Sequence, residues 1–504
     1  MKNTCFRTMV LILATSTLLG LSGCGSTGVE SDQDLLGTTA TPPVVTPPVV
    51  TPPVSNTPPN ASDFNMTLDI NVSAVTNDWK ILSMANDSDG DELSASVMTQ
   101  GNYGTFSVSD DSVTYTETID GNSTDEGILE ISDGTDTVQV TITVNKIYWK
   151  QVSAAGSHTA AIKSDGTLWS WGQNNSGQLG NGNTTDSSVP VQESSMATNW
   201  SFVGVGSRHS AAIKADGTLW TWGSNNHGQL GDGSQIDSSV PVQESSMASN
   251  WTSVDGGFAH TAAIRSDGTL WTWGLNNFGQ LGNGNTADAL IPVQENSMAT
   301  NWHSLSAGID HTAAIKTDGT FWLWGFNSKG QLCDGSTTNS SVPVQESTKA
   351  SNWDSVGAGS QHTVAIKTDN TVWSCGSNQN GQLGIPLTTT ESAVPVQESS
   401  QATNWHFLST GEQHTVVIKS DSTLWSWGLN DKGQLGDGTS TNSAVPVQEV
   451  LGDMDWRIVD GGQGHTAAIK SNGMLWLWGN NNHGQLGDGT TGGSTNVPAP
   501  LSIP

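Results

Sequence analysis

The run HTAAIKSDGTLWSWGQNNSGQLG, residues 158–180, joins a histidine, two tryptophans and a series of glycines. One copy could be a catalytic or metal-binding site, or a piece of scaffold. The chain holds seven. Tryptophan stands at 149, 200, 251, 302, 353, 405 and 456, and a histidine follows each nine residues later, at 158, 209, 260, 311, 362, 414 and 465. The period is 51, with a single one-residue insertion. A period of that length signals a repeat architecture and is weighed before any single motif.

Working outward, the second unit reads WSFVGVGSRHSAAIKADGTLWTWGSNNHGQLGDGSQIDSSVPVQESSMASN, residues 200–250. It divides into four strands: WSFVGV, HSAAIK, TLWTWG and VPVQE. The Asp-Gly turn before the third suits a tight hairpin. No stretch has helical apolar periodicity. Four short antiparallel strands recurring at this spacing predict a propeller blade, so seven units predict an all-β fold with a seven-bladed β-propeller over residues 147–504.

The runs G-x-x-H-[ST]-x-x-[IL], D-G-x-[LV]-[WY]-x-W-G and N-x-x-G-Q-L-G together resemble the regulator of chromosome condensation repeat family. They cover about 70 percent of the chain. The resemblance implies the same seven-bladed propeller. Ring closure is expected from the last segment, NVPAPLSIP, pairing beside the first blade as a clasp, since an open sheet edge is a liability.

The repeated residues read as architecture. Trp169 and Trp171, two apart on a strand, share a face and are expected to stack on the next blade, with Ala160 and Ala161 making room. In the fifth unit Cys375 replaces the second Trp, which should leave a cavity unless a neighbour compensates. The glycines of GQLGDG suit positive φ and not a phosphate cradle, because no helix follows. Seven equivalent imidazoles on a ring cannot converge on one tetrahedral ion, so the histidines are expected to make structural hydrogen bonds.

Function is therefore sought in residues that break the pattern. The connections between strands one and two and between strands three and four emerge at one end of each blade. There, units three and four place Phe258, Leu275, Phe278, Ile309 and Phe326, a candidate apolar patch for a protein partner. Arg208 lies on the same face, in Ser207-Arg208-His209. Light sensing in the plant branch of the resembled family depends on added tryptophans beside the Arg of G-W-R-H-T, and Ser207 lacks that Trp. No carboxylate pair or Ser/His/Asp set stands out, so no catalytic residues are expected. The alternatives are an enzyme on an extracellular polymer and a purely structural envelope component.

Residues 1–23 read as an export signal: a basic start, an apolar run from Met9 to Leu21, then Leu21-Ser22-Gly23-Cys24. Leu-Ser-Gly-Cys resembles the bacterial lipobox, which implies lipid on Cys24; Gly25 in place of Asp favours the outer membrane, periplasmic or surface-exposed. An ordinary signal peptide is the alternative. Residues 24–59 form a linker whose TPPVVTPPVVTPPVSNTPP is an extended, semi-rigid spacer.

Residues 60–146 alternate short β-rich runs with Gly/Asp/Asn turns and predict a small β-sandwich, which resembles cadherin-like and immunoglobulin-like modules. That resemblance implies calcium at Asp87, Asp89 and Asp91, with solvated turn aspartates as the alternative. No other cofactor is expected. A net charge of −30 argues against nucleic acid and anionic lipid as partners, leaving the lipid anchor as the membrane contact. A monomer is expected. The remaining cysteines, Cys333 and Cys375, each replace a repeat residue and read as drifted positions, with no disulfide framework.

Overall fold

A computed structural model of the chain describes residues 55–69, 79–117 and 124–501. The export signal, Cys24 and nearly all of the proline-rich spacer lie outside the described residues. From Asn56 onward the chain forms one compact unit.

The first part of this unit holds two sheets. Phe64–Asp69 runs parallel to Thr137–Ile147, which pairs antiparallel with Asp125–Ser132 and through it with Ser94–Thr99. Trp79–Lys80, Ser112–Glu117 and Gly104–Ser109 make a three-stranded partner sheet. Alternation within each strand turns one side inward, so Met66, Phe106, Val113, Leu129 and Ile142 meet in one shared core.

After Thr137–Ile147 comes an all-β, propeller-like array of seven four-stranded antiparallel sheets. The second is typical: Trp200–Val205, His209–Lys214, Leu219–Gly223 and Ser238–Gln243. The second strand is buried on both faces, which is why it reads His-Thr-Ala-Ala-Ile without alternation. The fourth is a half-exposed edge. Each carries a mid-strand proline (Pro190, Pro241, Pro292, Pro343, Pro395, Pro446 and Pro498), and the missing N–H blunts pairing with another chain.

Ring closure differs from the sequence expectation. Ser494–Pro500 pairs with Leu475–Asn480 in its own sheet and not beside the first. Each sheet is thus one sequence unit, with no strand clasp. The proline-guarded edges need no covering, and the last sheet meets the first by the face packing used everywhere else: Ala467, Ile469 and Leu475 share a core with Trp149 and Trp171.

That packing also reverses the expected direction of the tryptophans. Trp200 and Trp222 lie against Ala160, Ile162 and Leu168 of the sheet before, not the sheet after. The two buried indoles of a sheet sit 5.8–6.1 Å apart in tilted or edge contact. The third tryptophan of each sheet is half-buried and shares a cation with the first: Lys214 lies 4.9 Å from the Trp200 ring and 4.4 Å from that of Trp220.

At six sheet boundaries the glycine of Gln-Leu-Gly lies against the second tryptophan of the following sheet. A Cβ on Gly180 would stand 2.7 Å from Nε1 of Trp222, and the same holds from Gly487 to Trp171 around the ring. At the boundary of the fourth and fifth sheets the pair is Cys333 and Cys375, joined as a disulfide with Cα atoms 5.5 Å apart. The reading of these cysteines as independent drift is corrected. They are one coupled replacement, and Cys333 is the neighbour that compensates for the lost indole.

Candidate functional site

The histidines form a closed ring. Nε2 of His158 bonds the hydroxyl of Ser210 in the next sheet. His209, His260, His311, His362 and His414 reach Thr261, Thr312, Thr363, Thr415 and Thr466 in the same way, and His465 returns to Thr159; all seven contacts are 2.8–3.2 Å. Each hydroxyl donates to a glutamine carbonyl, Ser210 to Gln178 O and Thr159 to Gln485 O, so it accepts from the imidazole. Every ring therefore carries its proton on Nε2.

Burial holds these imidazoles neutral. It pushes His158, His260, His362 and His465 down to about 3, helped by repulsion from neighbouring imidazoles, and pushes His209, His311 and His414 to about 4. Seven residues are spent on one structural bond repeated by symmetry. The ring is scaffold.

The variable face lies at the end where strands one and two connect. Phe258 donates its backbone N–H to Ile309 O at 3.3 Å, Leu275 to Ala259 O at 2.9 Å and Phe326 to Asp310 O at 2.8 Å. The rings of Phe278 and Phe326 meet at 4.7 Å across the boundary of the third and fourth sheets. These backbone links make the five apolar residues one neighbourhood. Phe258 is 45% exposed; Leu275, Phe278, Ile309 and Phe326 are half-buried. Arg208 stands exposed on the second sheet, where Ser207 N–H bonds Gly257 O, one residue from Phe258.

Below this face runs an axial cavity of about 460 Å³, walled by the first strands of all seven sheets. Phe258, Ile309 and Glu412 stand at one end and Phe202, Phe407 and Ile458 at the other. Midway, the fifth strand residue reads Ser153, Gly204, Asp255, Ser306, Gly357, Ser409 and Asp460 around the ring. Burial pushes Asp255 up to about 7, and Asp460, Glu412 and Asp310 also upward. Asp255 and Asp460 escaped the sequence reading. The signal was there, as the two acids in a position otherwise Ser or Gly.

In the first part of the unit, Asp87, Asp89 and Asp91 offer oxygens within 4.8 Å of one another, the one group of three or more such ligands among the described residues. Asp87 Oδ1 accepts from the backbone N–H of Asp89, Gly90 and Asp91 at 2.8–3.3 Å. Asp89 Oδ2 accepts from Thr57 N–H and hydroxyl, both at 2.7 Å.

Comparison with known proteins agrees with the array. Residues 85–352 match the profile of the RCC1-like domain. Residues 353–382, 405–434 and 456–485 match one profile of the regulator of chromosome condensation (RCC1) repeat, and 369–418, 421–469 and 472–504 match another. The ultraviolet-B receptor UVR8 of Arabidopsis thaliana is 31% identical over 346 residues, 67% of this chain and 78% of the receptor. Human E3 ubiquitin-protein ligase HERC2 is 28% identical over 66% of this chain but only 7% of its own length. Among solved structures, human WBSCR16 superposes with a TM-score of 0.61 at 20% identity, covering 67% of this chain and 94% of that one. Yeast RCC1 (Prp20), solved bound to Kap60, gives 0.60 at 19%, covering 71% and 85%. At such identities the structures speak for the fold alone.

Proposed function

Because the chain belongs to the regulator of chromosome condensation repeat family, we propose that it is a non-catalytic protein-binding module whose seven sheets are the blades of a closed propeller. The contiguity of Phe258, Ile309, Phe278 and Phe326 on adjacent sheets carries this reading: an apolar cluster with an exposed Phe258 and half-buried neighbours is what a partner's hot spot requires. Yeast RCC1 is solved with Kap60, and Prp20p is described with binding to Gsp1p and histones, so surfaces of this fold do bind proteins. A net charge of −30 disfavours nucleic acid as the partner here.

The propeller, residues 147–504, is displayed behind a cadherin-like β-sandwich, residues 60–146, on the spacer of 24–59. The signal of 1–23 directs export and is cleaved before Cys24, and a lipid on Cys24 anchors the protein as an outer membrane lipoprotein, periplasmic or surface-exposed. The disulfide supports export to an oxidising compartment. Calcium at Asp87, Asp89 and Asp91 belongs to the same reading, supported by their spacing; a calcium-dependent rise in melting temperature, reversed by chelator, tests it. The binding reading is tested by capture from envelope fractions with wild type and a Phe258→Ser/Phe278→Ser/Phe326→Ser variant. Loss confined to the variant supports the patch; equal capture sinks it.

A further inference from the structure

The axial cavity is unexplained by the protein-binding reading. Its fifth-residue ring shows what architecture alone asks for there. Ser153 Oγ accepts from Val205 N–H at 3.2 Å, Ser306 Oγ from Ala358 N–H at 3.1 Å and Ser409 Oγ from Gly461 N–H at 3.3 Å, each tying one sheet to the next. Asp255 Oδ2 and Asp460 Oδ2 accept in the same way from Ala307 N–H at 2.9 Å and Ala154 N–H at 2.8 Å. A hydroxyl therefore suffices for the bond, and glycine is tolerated at Gly204 and Gly357. The two carboxylates also accept from the scaffold, Asp255 from Gly256 N–H at 2.9 Å and Ser306 Oγ at 3.2 Å and Asp460 from Ser409 Oγ. But they bring negative charge that the serine and glycine positions do without, in a place where burial opposes it.

Among the described residues no lysine, arginine or histidine lines the cavity to offset that charge. Asp255 is on the third sheet and Asp460 on the seventh, three sheets apart one way round and four the other, so they stand on opposite walls. Each raises the cost of ionising its counterpart, as the upward push of Asp460 on Asp255 records. A compact metal ion does not resolve this: no three carboxylate, imidazole or thiol groups come together there among the described residues. Carbon makes up about half of the wall between the acids, Leu305 and Leu408 among it, and the volume holds a short chain of methylenes.

We propose that the axial cavity is a binding site for an extended organic dication, a linear α,ω-diamine whose two ammonium groups pair with Asp255 and Asp460 while its methylenes cross the interior over the carbon of Leu305 and Leu408. One ligand then neutralises both walls and covers carbon with carbon. The site does not depend on the apolar patch, so it stands or falls apart from the protein-binding reading.

The test is calorimetric titration of the full chain, at physiological ionic strength and with chelator present, with linear diamines from propane to octane and with the matching monoamines. The proposal expects one saturable site, one preferred chain length, and binding at least about tenfold weaker for the monoamine of that length. It expects loss of the site in Asp255→Ser/Asp460→Ser, which installs the residue other sheets use, and in Asp255→Asn/Asp460→Asn, which keeps the shape; melting temperatures report that each variant is folded. Absence of saturable binding to wild type overturns the proposal. So does binding indifferent to chain length, or equal binding by a folded double variant, either of which assigns the affinity to the acidic exterior.

Discussion

The imidazole of His465 and the hydroxyl of Thr159 are 306 residues apart in sequence and 2.9 Å apart in space. This bond joins the last sheet to the first, and it is the same bond that joins every other neighbouring pair. The ring closes by repeating its ordinary interface.

Removing one imidazole therefore damages a sheet boundary. His311→Ala should cost about 2–4 kcal/mol, from the cavity and from the lost partner of Thr363. Chemical denaturation checks this, and an equivalent loss for His209→Ala would show that the copies are interchangeable.

Acid should unfold the protein from about pH 6 downward. The ring histidines have folded values of about 3 to about 4, below the ordinary 6.5, so only the unfolded chain takes up their protons between those limits. Stability is complete above 6.5 and is lost as pH falls, by about 1.4 kcal/mol per pH unit for each histidine once unfolded imidazoles are protonated. Four half-buried acids raised in the fold, Asp255, Asp310, Glu412 and Asp460, act in the opposite sense, and seven against four leaves a net loss. Thermal melts between pH 7.5 and 5 check the sign; a flat profile contradicts it.

Cys333 and Cys375 should behave as a unit. Reductant should destabilise wild type by about 2–4 kcal/mol. Cys333→Gly with Cys375→Trp restores the pair used at the other six boundaries and should melt at the same temperature with or without reductant. Either substitution alone should be worse than both. With Cys375→Trp alone the new indole would meet the Cys333 side chain, and with Cys333→Gly alone the space of an indole would stay unfilled beside Cys375.

The closing boundary has one difference. Glu193, Glu244, Glu295, Glu346, Glu398 and Glu449 each accept from the first tryptophan of the next sheet at 3.1–3.3 Å. Leu501 takes that place after the seventh sheet, and Nε1 of Trp149 has no partner among the described residues. Trp149→Phe should therefore cost about 1–2 kcal/mol less than Trp200→Phe, since only the latter discards a charged hydrogen bond. Equal losses in paired denaturation curves would refute this.

The unit, its four strands and the structural role of its histidines were legible because period, turn chemistry and strand composition are local. What lay between units was not. The direction of tryptophan packing and the absence of a strand clasp depend on which face meets which neighbour, and no single unit records that. The cysteine pair was nonetheless within reach: Cys333 and Cys375 are 42 residues apart, the spacing of Gly180 and Trp222. Asp255 and Asp460 were not legible in the same way, because they lie inside the first strand, away from the loops where departures from a repeat ordinarily carry function.

The copied histidines are neutral architecture, and their imidazole nitrogens report this directly. In a chain labelled with ¹⁵N at histidine, the seven ring imidazoles should show the Nε2–H tautomer and no titration between pH 7.5 and 5. Titration of any of them near the ordinary value, or a proton on Nδ1, would contradict it.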